Sequence, residues 1–428
     1  MNPVPPELAT PCTRRDLLGA MASLPLLRLF DHPTFGTPAR RGNRKAWILV
    51  WLDGGASHLE TFDCKPEAPP DIRGDLKSIP TRADGVFFGE PLGRLAKLMD
   101  RMTLFRSITH GEGQHDRASE YLLTGHRPSP VLNHPFLGVV HALGRSEDSA
   151  IPAYVAIPDA PTHGREGFLP AARGPFEVGG NPGRPDFRVH DLAPRQRTPA
   201  RSTLLRQLDA LDGAPRSPSE ATRDAFLAQA LRMTLDPKTR AVFDLGAEAD
   251  AVRQRFGRHQ LGQSCLLARR LVQHGSRSVL IRDVGWDHHR DIKRAMTYGF
   301  PPKLTALDQS ISALVEDLER HDLADDVMVV VASEFGRTPR LNPSGGRDHW
   351  PRAQSVLAFG AGLARGAVVG STDRKGEAPA SDAISPADLH ATLIAALGGD
   401  VGQTLRAPNG RPIPVVEAGG RPVRGALR

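Results

Sequence analysis

Val327 to Pro339 reads VMVVVASEFGRTP: an apolar run, Met328 to Ala332 at its heart, passes straight into Ser333, Glu334, Phe335, Gly336, Arg337 and Thr338. Asp348-His349-Trp350-Pro351 then precedes a further apolar run. A short, wholly apolar strand that delivers a carboxylate at its C-terminal end is how an open α/β sheet gathers polar groups into one crevice. Two distant segments repeat the pattern. Ala46 to Leu52 (AWILVWL) ends in Asp53-Gly54-Gly55, and Ser278 to Ile281 leads through Asp283 to Trp286-Asp287-His288-His289.

Between these strands the periodicity turns helical. Leu92 to Met102 is amphipathic and feeds a second strand, Thr103 to Arg106. Ala118 to Leu123 reads as a helix stopped by Thr124-Gly125, Arg201 to Gln273 is mostly helical, and Leu304 to Leu318 is another amphipathic helix. Ser355 to Phe359 is a further strand, and Asp388 to Leu397 a closing helix stopped by Gly398-Gly399. Helices alternating with short apolar strands predict an α/β fold with a central, mostly parallel sheet and helices on both faces. Residues 46–428 are expected to form one such domain. About 150–200 reads as a Pro- and Gly-rich surface excursion, and about 405–428 as a basic C-terminal tail.

With 428 residues, 39% hydrophobic and 24% charged, the chain can bury a large core. Its net charge of +7 sits mainly in residues 1–45, where seven Lys/Arg face three acids. The remainder lacks a basic stripe with interleaved aromatics, which argues against nucleic-acid binding. Cys12, Cys64 and Cys265 are too few and too far apart for a disulfide framework or a CxxC metal site. The leader carries Arg14-Arg15 ahead of a short, weakly apolar stretch and resembles a twin-arginine export signal. That implies passage through the twin-arginine translocase to the periplasm or beyond. No run is long enough to span a bilayer, so no stable transmembrane segment is expected.

Divalent metals need oxygen or imidazole ligands from several separate elements. Asp53, Asp287, His289, Glu334, Asp348 and His349 supply that inventory for Zn, Ca, Mg or Mn. Taken singly each has an ordinary explanation: a turn for Asp53, a salt bridge to Arg337 for Glu334, a solvated loop for Asp287 and His289, backbone hydrogen bonds for His349. Their joint occurrence at strand ends is what points to a metal. His110-Gly111-Glu112-Gly113-Gln114-His115-Asp116 forms a second polar cluster, and Arg117 or Arg337 could clamp the oxygens of a phosphate or sulfate.

LDGG at Leu52 to Gly55, the stretch Leu95 to Pro128, GWDHH at Gly285 to His289, SEFGRTP at Ser333 to Pro339 and GRDHWP at Gly346 to Pro351 together resemble the DUF1501 family, placed in the alkaline phosphatase/sulfatase-like superfamily. The resemblance implies an alkaline phosphatase-like fold and a divalent metal centre hydrolysing sulfate or phosphate esters, small or on a polysaccharide. It implies Asp53, Asp287, His289, Glu334 and His349 as ligands, with Asp348 in reserve. Phe335 stands where sulfatases carry a histidine. Registering Asp116 to Gly125 on the sulfatase signature puts Gly113 where the nucleophilic Cys or Ser would be, so a water activated by the metal becomes the expected nucleophile, with His110 or His115 as acid/base. The alternative is a non-catalytic carbohydrate-binding or cell-envelope protein on a degenerate sulfatase-like fold.

Overall fold

The computed structural model describes residues 45–143, 150–189, 236–297 and 302–428, with a few positions between 192 and 234. The leader read as a twin-arginine signal, Cys12 and the helical reading of 201–228 lie outside the described residues. The described chain falls in one unit, 38–428.

Eight strands form the main sheet: β1 (Ala46–Asp53), β2 (Met102–Ile108), β3 (Tyr154–Ile157), β4 (Phe176–Glu177), β5 (Ser278–Val284), β6 (Val327–Ala332), β7 (Gln354–Gly360) and β8 (Val368–Val369). Their spatial order is β8-β2-β7-β6-β1-β5-β3-β4. Every pairing is parallel except those of β7, which runs antiparallel to β2 and β6. This is the mostly parallel α/β sheet the sequence predicts.

β1 is buried along its length until Asp53 because both of its faces are covered. Ile48, Val50 and Leu52 join one core cluster with Leu266 and Leu267 of α4 (Gln260–Gln273) and Leu307 and Leu314 of α5 (Lys303–Arg320). Trp47, Leu49 and Trp51 join the other, with Tyr121 and Leu122 of α2 (His115–Thr124), Leu137 of α3 (Leu137–Ala142) and Leu393 of α6 (Pro386–Ala396). The helix read over Leu92 to Met102 is shorter: α1 (Gly93–Leu98) closes in a 3-10 turn at Met99–Arg101.

The segment read as a surface excursion also contributes β3 and β4 at the sheet edge, and β3 is fully buried. Four apolar residues cut off by Pro158 gave no period to read. In the stretch read as a basic tail, Val415, Val416 and Ala426 are buried against the second core cluster. Cys64 and Cys265 are buried free thiols. Among the described residues no helix is long and apolar enough to cross a membrane.

Because β1, β2, β5 and β6 run parallel, their C-terminal ends share one edge. There Asp53, the loop Thr109–Gln114, the turn after Val284 and the Ser333-Glu334 pair emerge together.

Candidate metal centre

Three imidazoles from three of these strand ends meet one carboxylate. His115 opens α2, Asp287 and His289 lie past β5, and His349 sits in a two-stranded ribbon that pairs His349–Trp350 with Gly336–Arg337. Each ring has its Nδ1 against an oxygen: His115 on Glu334 Oε1 at 2.7 Å, His289 on Asp348 Oδ1 at 2.7 Å, His349 on the Gly113 carbonyl at 2.9 Å. Facing an oxygen acceptor, each Nδ1 is assigned the hydrogen, which in the neutral ring leaves its Nε2 with a lone pair.

Those Nε2 atoms converge on Asp287. His289 is 3.0 Å and His349 3.4 Å from Oδ1, and His115 is 3.6 Å from Oδ2. His289 Nε2 and His349 Nε2 stand 3.0 Å apart. Lone pairs turned on each other and on a carboxylate repel unless a proton or a cation lies between them. A donor oxygen and imidazoles fixed by outer-shell acceptors are how metal ligands are held, so the residues fit a divalent ion. His115, Asp287 and His349 each offer a ligand atom within 4.8 Å of the others.

The support is buried. Glu334, fully enclosed, accepts the Gly54 N–H and the His115 Nδ1–H on Oε1, with the Ser333 hydroxyl 2.9 Å from Oε2. Arg337, also fully enclosed, donates Nε–H to the Gly55 carbonyl at 2.7 Å, Nη1–H to the Arg347 carbonyl at 3.0 Å, and Nη2–H to the Gly54 carbonyl and Asp287 Oδ1. Gly54 and Gly55 are required here. Both have positive φ, and a Cβ on Gly55 would lie 2.3 Å from the Phe335 ring.

The electrostatics follow the contacts. Burial pushes Asp287 up, but the hydrogen bond and charge of Arg337, with His289 and His115 beside it, outweigh that and hold it below its ordinary value. The Glu334 hydrogen bond raises His115, and burial lowers His349. The His289 hydrogen bond lowers Asp348.

The other residues read from the sequence sit differently. The carboxylate of Asp53 pairs with Arg282 Nε at 2.6 Å, and Arg282 also holds Asp159. Glu334 and Asp348 each hold a histidine rather than facing the Nε2 cluster. Both ring nitrogens of His110 meet backbone, the Glu334 carbonyl and the Glu112 N–H, and burial lowers it to about 4. Arg117 is paired through Nε and Nη2 with Glu112. His115, read as an acid/base, instead joins the cluster. Its place just past a β-strand and at a helix start was the available signal. The carbonyl of Gly113 left none.

Residues 44–427 match the family described as "Protein of unknown function (DUF1501)". The chain belongs to that family. No curated protein matches this DUF1501 chain. Among solved structures it is similar to the phosphonate monoester hydrolase SpPMH from Silicibacter pomeroyi, at 13% identity over 89% of this chain and 76% of that one, with a TM-score of 0.36. It is also similar to the PsFucS1 sulfatase from Pseudoalteromonas sp., at 11% identity over 83% and 68%, TM-score 0.37. A third is a protein in the alkaline phosphatase superfamily from Vibrio parahaemolyticus, at 11% identity over 86% and 69%, TM-score 0.36. At such scores the site of this DUF1501 protein is read from its own geometry.

Proposed function

We propose that this chain is an exported, metal-dependent hydrolase of sulfate or phosphate esters, small or carried on a polysaccharide. The observation behind this reading is the convergence of three Nδ1-anchored histidines on Asp287. His115, Asp287, His289 and His349 would hold the ion, and so imidazole-rich a set suits zinc better than magnesium or calcium. A bound divalent ion supplies Lewis acidity and makes water a competent nucleophile near neutral pH.

The chain's own part is positional. Glu334, Asp348 and the Gly113 carbonyl fix the ring tautomers, and Phe335, buried and 4.5 Å from the His349 ring, dries one wall. α2 starts at His115 with no side-chain cap, so its first amides and dipole favour an anionic substrate beside the cluster. Gly113 offers neither hydroxyl nor thiol, which leaves water as the attacking group. The same glycine supports a second reading, a non-catalytic binding protein that holds its ligand without turnover. The twin-arginine motif of the leader supports export by the twin-arginine translocase.

Purified protein assayed for metal and incubated with aryl sulfates and aryl phosphates, with and without chelator, tests both. Stoichiometric metal with chelator-sensitive turnover is expected. Ligand retention without product and without stoichiometric metal favours the second reading.

A further inference from the structure

We propose that Arg337 is a built-in cation that limits this site to one divalent ion. The inference rests on the metal-binding reading above and concerns how many ions the site can take. The acceptors around the guanidinium are three backbone carbonyls, of Gly54, Gly55 and Arg347, and one carboxylate oxygen, Asp287 Oδ1. An all-oxygen cage of that composition is what a hard divalent cation takes. Here it is filled by a side chain with no solvent exposure, whose charge cannot be lost by deprotonation.

Four of the five N–H donors are spent on this cage, and the fifth faces His289 Nε2 at 3.5 Å. The guanidinium therefore has nothing left with which to clamp a substrate oxyanion, the role its sequence position suggested. Its position sets Asp287 instead. Oδ1 is tied to Arg337, while Oδ2 points toward His115.

Charge and shape give the same count. The carboxylates of Asp287, Glu334 and Asp348, less one guanidinium, leave two negative charges beside the three rings, which one divalent ion balances. Beside the rings of His115 and His349 stands Phe335, at 5.0 and 4.5 Å between centroids, an apolar wall with no atom to donate to a further ion. Arg337 is thus a positioning residue that occupies, as an organic cation, the place of a second metal.

Counting ions tests this. Full-length protein is stripped with chelator and titrated separately with zinc, manganese and calcium, and bound metal per chain is measured by elemental analysis after gel filtration. Wild type is expected to hold one zinc and never more than one ion, whichever metal is used. Arg337→Ala, which empties the cage, should hold two when calcium is supplied after zinc, and Arg337→Lys, which keeps a cation there, should stay at one. Two ions on wild type overturn the inference, as does a single ion on folded Arg337→Ala in calcium excess. If circular dichroism shows Arg337→Ala unfolded, Arg337→Ser, which also vacates the cage and leaves a small hydroxyl at its base, is judged by the same count. No ion on wild type overturns the metal-binding reading itself, a distinct result.

Discussion

Helix α2 carries a histidine cluster at each end, about 15 Å apart for its ten residues. The two are built for opposite ends. At its start His115 joins His289 and His349, each Nδ1 anchored on an oxygen and each Nε2 turned toward Asp287. Near its finish His126 and His134 stack at 3.9 Å, and His390 donates Nε2–H to the Leu122 carbonyl. The stacked rings line a cavity of about 10 Å³ with Val140, Phe168 and Ile413, and the Nδ1 atoms of His134 and His390 are buried without a partner. Burial lowers both to about 4. Gathering imidazoles is therefore not what makes a cation site. Both ends leave ring nitrogens free, and what separates them is the Asp287 carboxylate that faces those nitrogens at the first end.

The contrast is broken most severely by removing that carboxylate. Asp287→Ala should weaken metal binding by more than about 100-fold, beyond the loss typical of an outer-shell partner, as measured by chelator competition. If affinity survives, the cluster does not hold an ion through Asp287.

Next is pH. His390 has a folded pKa of about 4 against 6.5 unfolded, so the unfolded chain binds more protons between those values. Its stabilising effect is complete above pH 6.5 and falls away as pH drops toward 4. Urea unfolding should show a loss on the order of 2 kcal/mol between pH 7 and pH 5 from this residue, absent in His390→Gln. His115 goes the other way. Its pKa is raised by Glu334, so in metal-free protein its stabilising effect is complete below the unfolded value and is lost as pH climbs through the folded one. Titration midpoints of the His115 and His390 resonances lying on the same side of 6.5 would erase the distinction between the two ends.

Asp348→Asn should then cost about tenfold in metal affinity, the lower end of the outer-shell range, because Asp348 is 55% exposed and water can replace it. The smallest effect is expected at Gly113→Ser. A Cβ there meets only the Pro351 ring, at 4.0 Å, so thermal unfolding should place its stability within about 0.5 kcal/mol of wild type.

Much of the fold could be read from residues alone because β1, β5 and β6 are short apolar runs ending in acids, and their burial on both faces gives a continuous rather than alternating pattern. β3 was not legible, being four residues cut off by Pro158. At the site, strand ends pointed to Asp287, His289 and His349, which the structure brings within 3.4 Å contacts of one another. What spacing cannot tell is which partner a carboxylate takes. Asp53 and Glu334 both follow strands, yet one meets a guanidinium and the other an imidazole. Those partners lie more than 200 residues away in sequence.

The loops bearing Asp287 and His349 are sewn to each other through their backbones. Arg347 N–H donates to the His288 carbonyl, Ile292 N–H to the Gly345 carbonyl, and the Asn342 amide bridges the His289 carbonyl and Asp348. A Cβ on Gly346 would lie 2.1 Å from the His289 carbonyl carbon, so only glycine lets the two loops lie this close. An arriving ion would meet walls already standing, and capture would be governed by how fast it sheds its own water rather than by any search among loop conformations.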